Sequence, residues 1–404
     1  MFLVSFIILA FGLCNVALGQ NGGSSSNNGV QAFEMIEFSN VGFAGTYTPV
    51  KSLKNIDDSD CTCEVDDKVW FSGTNAPISD EVSVHFRGPL ILHQFAYYVS
   101  SSFTADNNRT SSDWTRLAYY NATTQTADNV TFLTKAGDNS TCLGKALTYA
   151  SSNGTSEASD ATVLAEGTLI TSDEEYVIFS NVSCPSSGTS KGCGVYRKGI
   201  PAFYGYTGVT KMFLFEFEMP TETQDNSTSF DYYDLPAIWL LNAKIPRTSQ
   251  YPSNSNCSCW ASGCGEFDIF EVMNGTEKNH LYSTFHTFQG IEDLGTGIQA
   301  DGYISRSTDS VMRGGVIFDS NGDTVVFMSN DTVFDSTIDA DTLNGILASY
   351  STNEIVSTRL ETISATAPST TSKSNAASLF ENTGGFLWYY IFTFFTSAAH
   401  IFLF

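Results

Sequence analysis

Residues 209–219 read Val-Thr-Lys-Met-Phe-Leu-Phe-Glu-Phe-Glu-Met. In an extended chain Phe213, Phe215, Phe217 and Met219 fall on one side, and Glu216 and Glu218 on the other. This is the period of two of a strand with one buried and one wet face. The reading extends outward from there. Residues 175–180 and 237–241 are apolar runs of strand length. Residues 316–319 and 324–328 flank Ser320-Asn321-Gly322-Asp323, a hairpin signal because Asn-Gly accepts positive φ. No run of helical period stands out. Many short strands, rich in Phe and Tyr, predict an all-β chain folded as a two-sheet jelly-roll sandwich.

Both ends read as processing signals. Residues 1–19 carry an apolar run and end in Ala17-Leu18-Gly19, the small-residue pattern of a signal-peptidase site. At the other end, residues 386–404 are apolar and are preceded by a polar spacer and by Asn375-Ala376-Ala377. Small residues, spacer and apolar tail make a GPI-attachment signal, with Asn375 as the attachment residue and 376–404 as the propeptide. No Lys or Arg follows the apolar run to hold a cytoplasmic end. Residues 20–32 are mostly Gly, Ser and Asn and are expected to be disordered. The Ser/Thr-rich 351–375 reads as a glycosylated stalk. Residues 33–350 remain for the folded β domain.

The net charge of −24, with 19 basic residues, nearly excludes a nucleic-acid partner. A neutral polysaccharide suits such a surface, and contact with membrane is expected only through the GPI lipid. Cys14 leaves with the leader. The remaining cysteines, at 61, 63, 142, 184, 193, 257, 259 and 264, are even in number. In a secreted chain that predicts disulfides rather than zinc, with the pairing left open. Glycosylation sequons stand at Asn108, Asn121, Asn129, Asn139, Asn153, Asn181, Asn226, Asn256, Asn274 and Asn330.

The chemistry is carried by Gly265-Glu266-Phe267-Asp268-Ile269-Phe270-Glu271-Val272. In a flat strand Glu266 and Asp268 share a face while Glu271 points away. One extra residue, taken up as a β-bulge, returns Glu271 to their side. The two glutamate Cα atoms are then roughly 13 Å apart. Side chains leaning inward would bring the carboxyls to about 5 Å, the separation of a retaining glycosidase. The plain alternative is an amphipathic strand with its acids in water. The stretch calls for no metal or cofactor, and a structural calcium leaves no readable trace.

Pro236-Ala237-Ile238-Trp239-Leu240-Leu241-Asn242 lies upstream, and Leu281-Tyr282-Ser283-Thr284-Phe285-His286 downstream. Together with Glu-Phe-Asp-Ile-Phe-Glu these resemble glycoside hydrolase family 16, the laminarinase and lichenase group, over roughly residues 205–330. The resemblance implies Glu266 as nucleophile, Asp268 as assisting acid, Glu271 as acid/base and Trp239 lining the sugar cleft. His286 reads as a structural strand residue. The chain as a whole is similar to the fungal cell-wall family of circularly permuted 1,3-β-glucanases. Residues 69–77 (Val-Trp-Phe-Ser-Gly-Thr-Asn-Ala-Pro) and 82–89 (Val-Ser-Val-His-Phe-Arg-Gly-Pro) carry that likeness. It implies a permuted, concanavalin- and laminarinase-like jelly roll acting on β-1,3-glucan from the outer leaflet or the wall. Residues 82–100 are expected to supply a strand that the short C-terminal part lacks. A transglycosylase using the same intermediate, and a non-catalytic glucan-binding wall protein, are the rival readings.

Overall fold

The alternating run at 209–219 forms the strand Lys211–Glu218, with Phe213, Phe215, Phe217 and Met219 fully buried. The computed structural model describes residues 30–365, apart from 106, 108, 227 and 228. The leader, the attachment residue Asn375, the 376–404 propeptide and Asn108 lie outside the described residues.

Two large sheets dominate. In one, the central order is His280–His286, Glu266–Glu271, Ala237–Asn242, Val82–Arg87, Glu175–Phe179 and Thr131–Thr134. In the other it is Trp114–Asn121, Leu90–Val99, Lys211–Glu218, Met312–Phe318, Thr324–Met328 and Met35–Ser39. Aromatic rings meet between the sheets: Phe86 lies 6.0 Å from Phe215, Phe217 5.5 Å from Phe270, and Phe267 5.7 Å from Phe318. Each sheet thus buries one face against the other, as a β-sandwich does. The predicted hairpin joins Met312–Phe318 to Thr324–Met328, with Gly322 at φ 89° and Asp319 accepting from the backbone N–H of Asn321 and Asp323.

Residues 82–100 supply two strands, one to the middle of each sheet. Val82–Arg87 pairs with Ala237–Asn242 and Glu175–Phe179, and Leu90–Val99 pairs with Lys211–Glu218. Val82–Arg87 therefore lies one strand beyond Ala237–Asn242, the neighbour of the carboxylate strand, and brings a segment distant in sequence to that face, as a permuted sandwich requires.

The structure departs from the sequence reading in three places. A short helix, Ala340–Leu347, packs Leu343, Ile346 and Leu347 in one apolar cluster with Met212 and Leu214. Half of the expected wet face of Lys211–Glu218 is thereby covered, while Glu216 still pairs with Arg313 and Glu218 with His93. Residues 31–32, read as disordered, belong to the strand Gln31–Phe33, which pairs with Gly302–Ser305. Residues 355–359, read as stalk, form the strand Ile355–Arg359 parallel to Met35–Ser39. The folded unit therefore extends past 33–350 at both ends, because sheet edges there offer hydrogen-bond partners that composition does not reveal.

All eight cysteines of the described chain are paired: Cys61–Cys142, Cys63–Cys257, Cys184–Cys193 and Cys259–Cys264. Among the described residues, the side chains close enough together to hold a metal are Cys63, Cys142 and Cys257, whose sulfurs are committed to these bonds. Of the sequons, Asn139, Asn153, Asn181, Asn226, Asn256, Asn274 and Asn330 are exposed. Asn121 and Asn129 are half-buried and donate to Gln94 and to the Leu117 carbonyl.

Candidate active site

The strand Glu266–Glu271 runs between Ala237–Asn242 and His280–His286. Ile238 faces Phe270, yet Trp239 faces Asp268, so Ile269 has no partner of its own. On the other side the register breaks at the same point, between Asp268–Thr284 and Glu271–Tyr282. This is a β-bulge at Ile269. Ile269 and Phe270 are both fully buried in the inter-sheet core with Phe267 and Val272. Two consecutive apolar side chains on one face are what the extra residue permits. The three carboxylates, Glu266, Asp268 and Glu271, consequently share the opposite face. Gly265 enters the strand at φ 107°, a conformation that only glycine adopts without strain.

Each acid has a partner of its own. The Trp260 indole N–H donates to Glu266, and Trp260 sits on the tight loop closed by Cys259–Cys264. Asp268 Oδ2 lies 2.8 Å from His286 Nε2. The other ring nitrogen of His286, Nδ1, faces the Leu294 carbonyl and must donate to it. With a carboxylate on the second nitrogen, the ring is held as an imidazolium. Burial opposes that charge, but the hydrogen bond and charge of Asp268 outweigh it and hold His286 at about 10. Arg87 Nη2 donates to Glu271 Oε1 at 3.0 Å, and its Nε donates to the Leu235 carbonyl at 2.7 Å.

Burial, then the charge of Asp268, push Glu266 up to about 8, against the pull of His286 and Trp260. Burial and Asp268 likewise raise Glu271, to about 7, against the charge and hydrogen bond of Arg87. These acids titrate together, so the protons belong to the cluster rather than to one residue. The site therefore retains a proton near neutral pH, where ordinary carboxylates hold none. Such an arrangement supports both attack by a carboxylate and donation of a proton.

Trp239 stands beside Asp268 but is only 3% exposed. Its ring is stacked on His85, 5.1 Å away, and packs with Phe43, Tyr47 and Phe71. It packs beneath the acids, with little of its surface open to a ligand.

Two matches with family models cover most of the chain. "Cell wall protein YJL171C/Tos1, N-terminal" matches residues 34–100, and its C-terminal counterpart matches 112–346. The chain belongs to the Tos1/YJL171C family of cell wall proteins. It is 65% identical over 377 residues to a Saccharomyces cerevisiae protein named "Probable circularly permuted 1,3-beta-glucanase YJL171C", covering 93% of this chain and 95% of that one. A Candida albicans protein, "Probable circularly permuted 1,3-beta-glucanase PGA52", is 56% identical over 346 residues, 85% of this chain and 89% of its own. A second Saccharomyces cerevisiae relative, named with the same words and TOS1, is 31% identical over 427 residues, 77% of this chain and 89% of its own. No solved structure matches the chain. Within the Tos1/YJL171C family the site draws on both matched segments, since Arg87 comes from the first and Glu266, Asp268, Glu271 and His286 from the second.

The sequence alone gives no role to Arg87 or Trp260 and marks His286 as a structural strand residue. Arg87 lies inside the 82–89 stretch that carried the family likeness. Trp260 lies between two cysteines five residues apart, just ahead of the strand. Both were visible as motifs, but their contacts with the acids were not.

Proposed function

We propose that this protein is a cell-wall enzyme that cuts or remodels β-1,3-glucan within its chains by a retaining double displacement. The bulge at Ile269, which brings buried Asp268 and the half-buried Glu266 and Glu271 onto one face, carries the reading. The names of the relatives support the substrate. In the first step the Glu266 carboxylate attacks the anomeric carbon, the glycosidic C–O bond breaks, and Glu271 gives its proton to the departing oxygen. A glycosyl ester on Glu266 results. In the second step the Glu271 carboxylate takes a proton from water, or from the hydroxyl of another sugar, which displaces Glu266. Asp268, fixed by the His286 imidazolium, keeps the field that raises both glutamates. A GPI anchor at Asn375 would hold the enzyme at the outer leaflet beside its substrate. Product analysis of the purified ectodomain on linear β-1,3-glucan tests the reading. New reducing ends mean hydrolysis and elongated chains mean transfer; binding without any product would leave a glucan-binding wall protein and refute the enzyme.

Activity should trace a bell against pH, displaced upward from the ordinary carboxylate range. The two glutamates lose their protons as one cluster, so the acid limb reports the first loss, which leaves a carboxylate to attack, and the alkaline limb the second, which leaves no proton to donate. Arg87 lowers Glu271, so Arg87→Met is expected to move the alkaline limb to higher pH, while Arg87→Lys keeps it near the wild-type position. A profile of kcat/KM unchanged in Arg87→Met would reduce Arg87 to a packing role.

The disulfides should separate stability from activity. Cys259–Cys264 closes a loop with a sequence separation of 5, and Cys63–Cys257 one of 194. Loop-closure entropy makes these worth about 2 and about 5 kcal/mol, respectively. Replacing Cys259 and Cys264 by serine should therefore lower Tm little but lower kcat clearly, because Trp260 is freed from Glu266. Replacing Cys63 and Cys257 should do the reverse. Activity that falls in step with Tm in both variants would contradict this assignment.

A further inference from the structure

We propose that the cavity across Arg87 from Glu271 is a carbohydrate subsite, and that Tyr232 and Tyr251 are the aromatic platforms that hold a glucan chain there, a few sugars from the bond being cut. This rests on the glucanase reading and deepens it. Strand register sets the position. Glu271 faces Ala237, Ala237 faces Arg87, and Arg87 faces Glu175 across successive strands. Directly opposed residues point to the same side of a sheet. Three strand spacings place Glu175 roughly 14 Å from Glu271 along one row. At the end of that row lies a cavity of about 470 Å³ whose lining includes Thr134, Lys135, Lys145, Asp173, Glu174, Glu175 and Tyr251. Its size falls within the range of ligand sites, about 300–1,000 Å³.

Two tyrosines stand exposed along this row, at 40% for Tyr232 and 50% for Tyr251. Each ring lies against a cation already engaged with a carboxylate. The Arg87 guanidinium is 4.3 Å from the centre of Tyr232 and bonds Glu271. The Lys135 ammonium is 4.1 Å from the centre of Tyr251 and pairs with Glu175. The Tyr251 hydroxyl donates to Glu175 at 3.0 Å, which fixes the ring's orientation, with Lys135 against one face and half of the residue exposed. Tyr232 is fixed through its backbone, because the Asp173 carboxylate accepts from the N–H of both Asp231 and Tyr232. Asp173, at φ 65°, thus joins the cavity wall to the loop that bears the second platform.

The chemistry selects a neutral polyol. Rigid, half-exposed aromatic rings match the C–H faces of pyranose rings. Hydroxyls meet oriented carboxylates, an ammonium and Thr134 as hydrogen-bond partners. The wall sets Asp173, Glu174 and Glu175 against Lys135 and Lys145, so its charges nearly cancel, and an anionic ligand would still face a chain of net charge −24. Trp239, buried beneath the acids, leaves the stacking role to these two tyrosines.

Kinetics on laminari-oligosaccharides of increasing length test this. Tyr232→Ala and Tyr251→Ala should each raise KM about tenfold on long chains and change KM on the shortest cleaved chain far less. Tyr251→Phe and Tyr232→Trp, which keep a platform, should restore long-chain KM. Calorimetry in a Glu266→Gln background should show the same loss of long-chain affinity without turnover. An active wild type whose length dependence ignores both alanine substitutions overturns the subsite alone. A wild type inactive on every β-glucan, whose Glu266→Gln form binds no laminari-oligosaccharide, overturns the glucanase reading and the subsite with it.

Discussion

Glu266→Gln is expected to reduce turnover of β-1,3-glucan to background while leaving the fold and glucan binding intact. The amide has the size and shape of the acid and can still accept the Trp260 indole N–H. It cannot attack the anomeric carbon, so no glycosyl ester forms. Stability should move in the opposite direction to activity. The Glu266 carboxyl is raised from 4.5 to about 8 by burial and by Asp268. A folded-state value above the unfolded one means that the wild type loses stability as pH rises through that window. Glutamine has no proton to lose. The melting temperature of Glu266→Gln should therefore be no lower than wild type at pH 4.5, and its advantage should grow toward pH 8. Azide, if it replaces the missing nucleophile, attacks from the opposite face of the sugar and gives an α-azide of inverted configuration. A variant that retains substantial turnover would remove Glu266 from the nucleophile's role.

How much of this site was legible beforehand depends on the distance over which each feature is decided. The alternation of Phe213, Phe215 and Phe217 with Glu216 and Glu218 is local, and it gave a strand. The Ile269–Phe270 pair is local as well, and it demanded a bulge if Glu271 was to rejoin Glu266 and Asp268. What could not be read is pairing between distant segments. Arg87 meets Glu271 across 184 residues of sequence. Ile355–Arg359 becomes a strand only because Met35–Ser39 presents it with hydrogen-bond partners across 320 residues, and its Ser-Thr content masked that. The helix Ala340–Leu347 spans eight residues with Asn344 and Gly345 inside, too few for a helical period to show. Tyr232 and Tyr251 carry no motif at all. They matter through the cations beneath them, which only the register of Val82–Arg87, Glu175–Phe179 and Thr131–Thr134 supplies.

Glu271→Gln is expected to divide substrates by the quality of their leaving groups. A sugar alkoxide departs poorly unless it is protonated, so glucan cleavage should fall by about 10²–10⁴-fold, the usual contribution of a general acid. An aryl β-glycoside with an activated phenol leaves unaided, and formation of the glycosyl ester on Glu266 should remain near wild-type speed. The second step then becomes limiting, because glutamine cannot take a proton from water. The ester should accumulate, which a burst of released phenol would reveal. Azide needs no base. It should enter the space vacated by the Glu271 charge, speed turnover of the aryl donor and yield a β-azide of retained configuration. Arg87 sharpens the expectation, since its guanidinium, no longer paired with a carboxylate, leaves a positive charge beside the entry path of the anion. Rescue should therefore weaken in the double variant Glu271→Gln with Arg87→Met. If Glu271→Gln yields α-azide and Glu266→Gln yields β-azide, the two glutamates exchange roles. If neither variant responds to azide and both cleave aryl glycosides as the wild type does, catalysis does not reside on this strand.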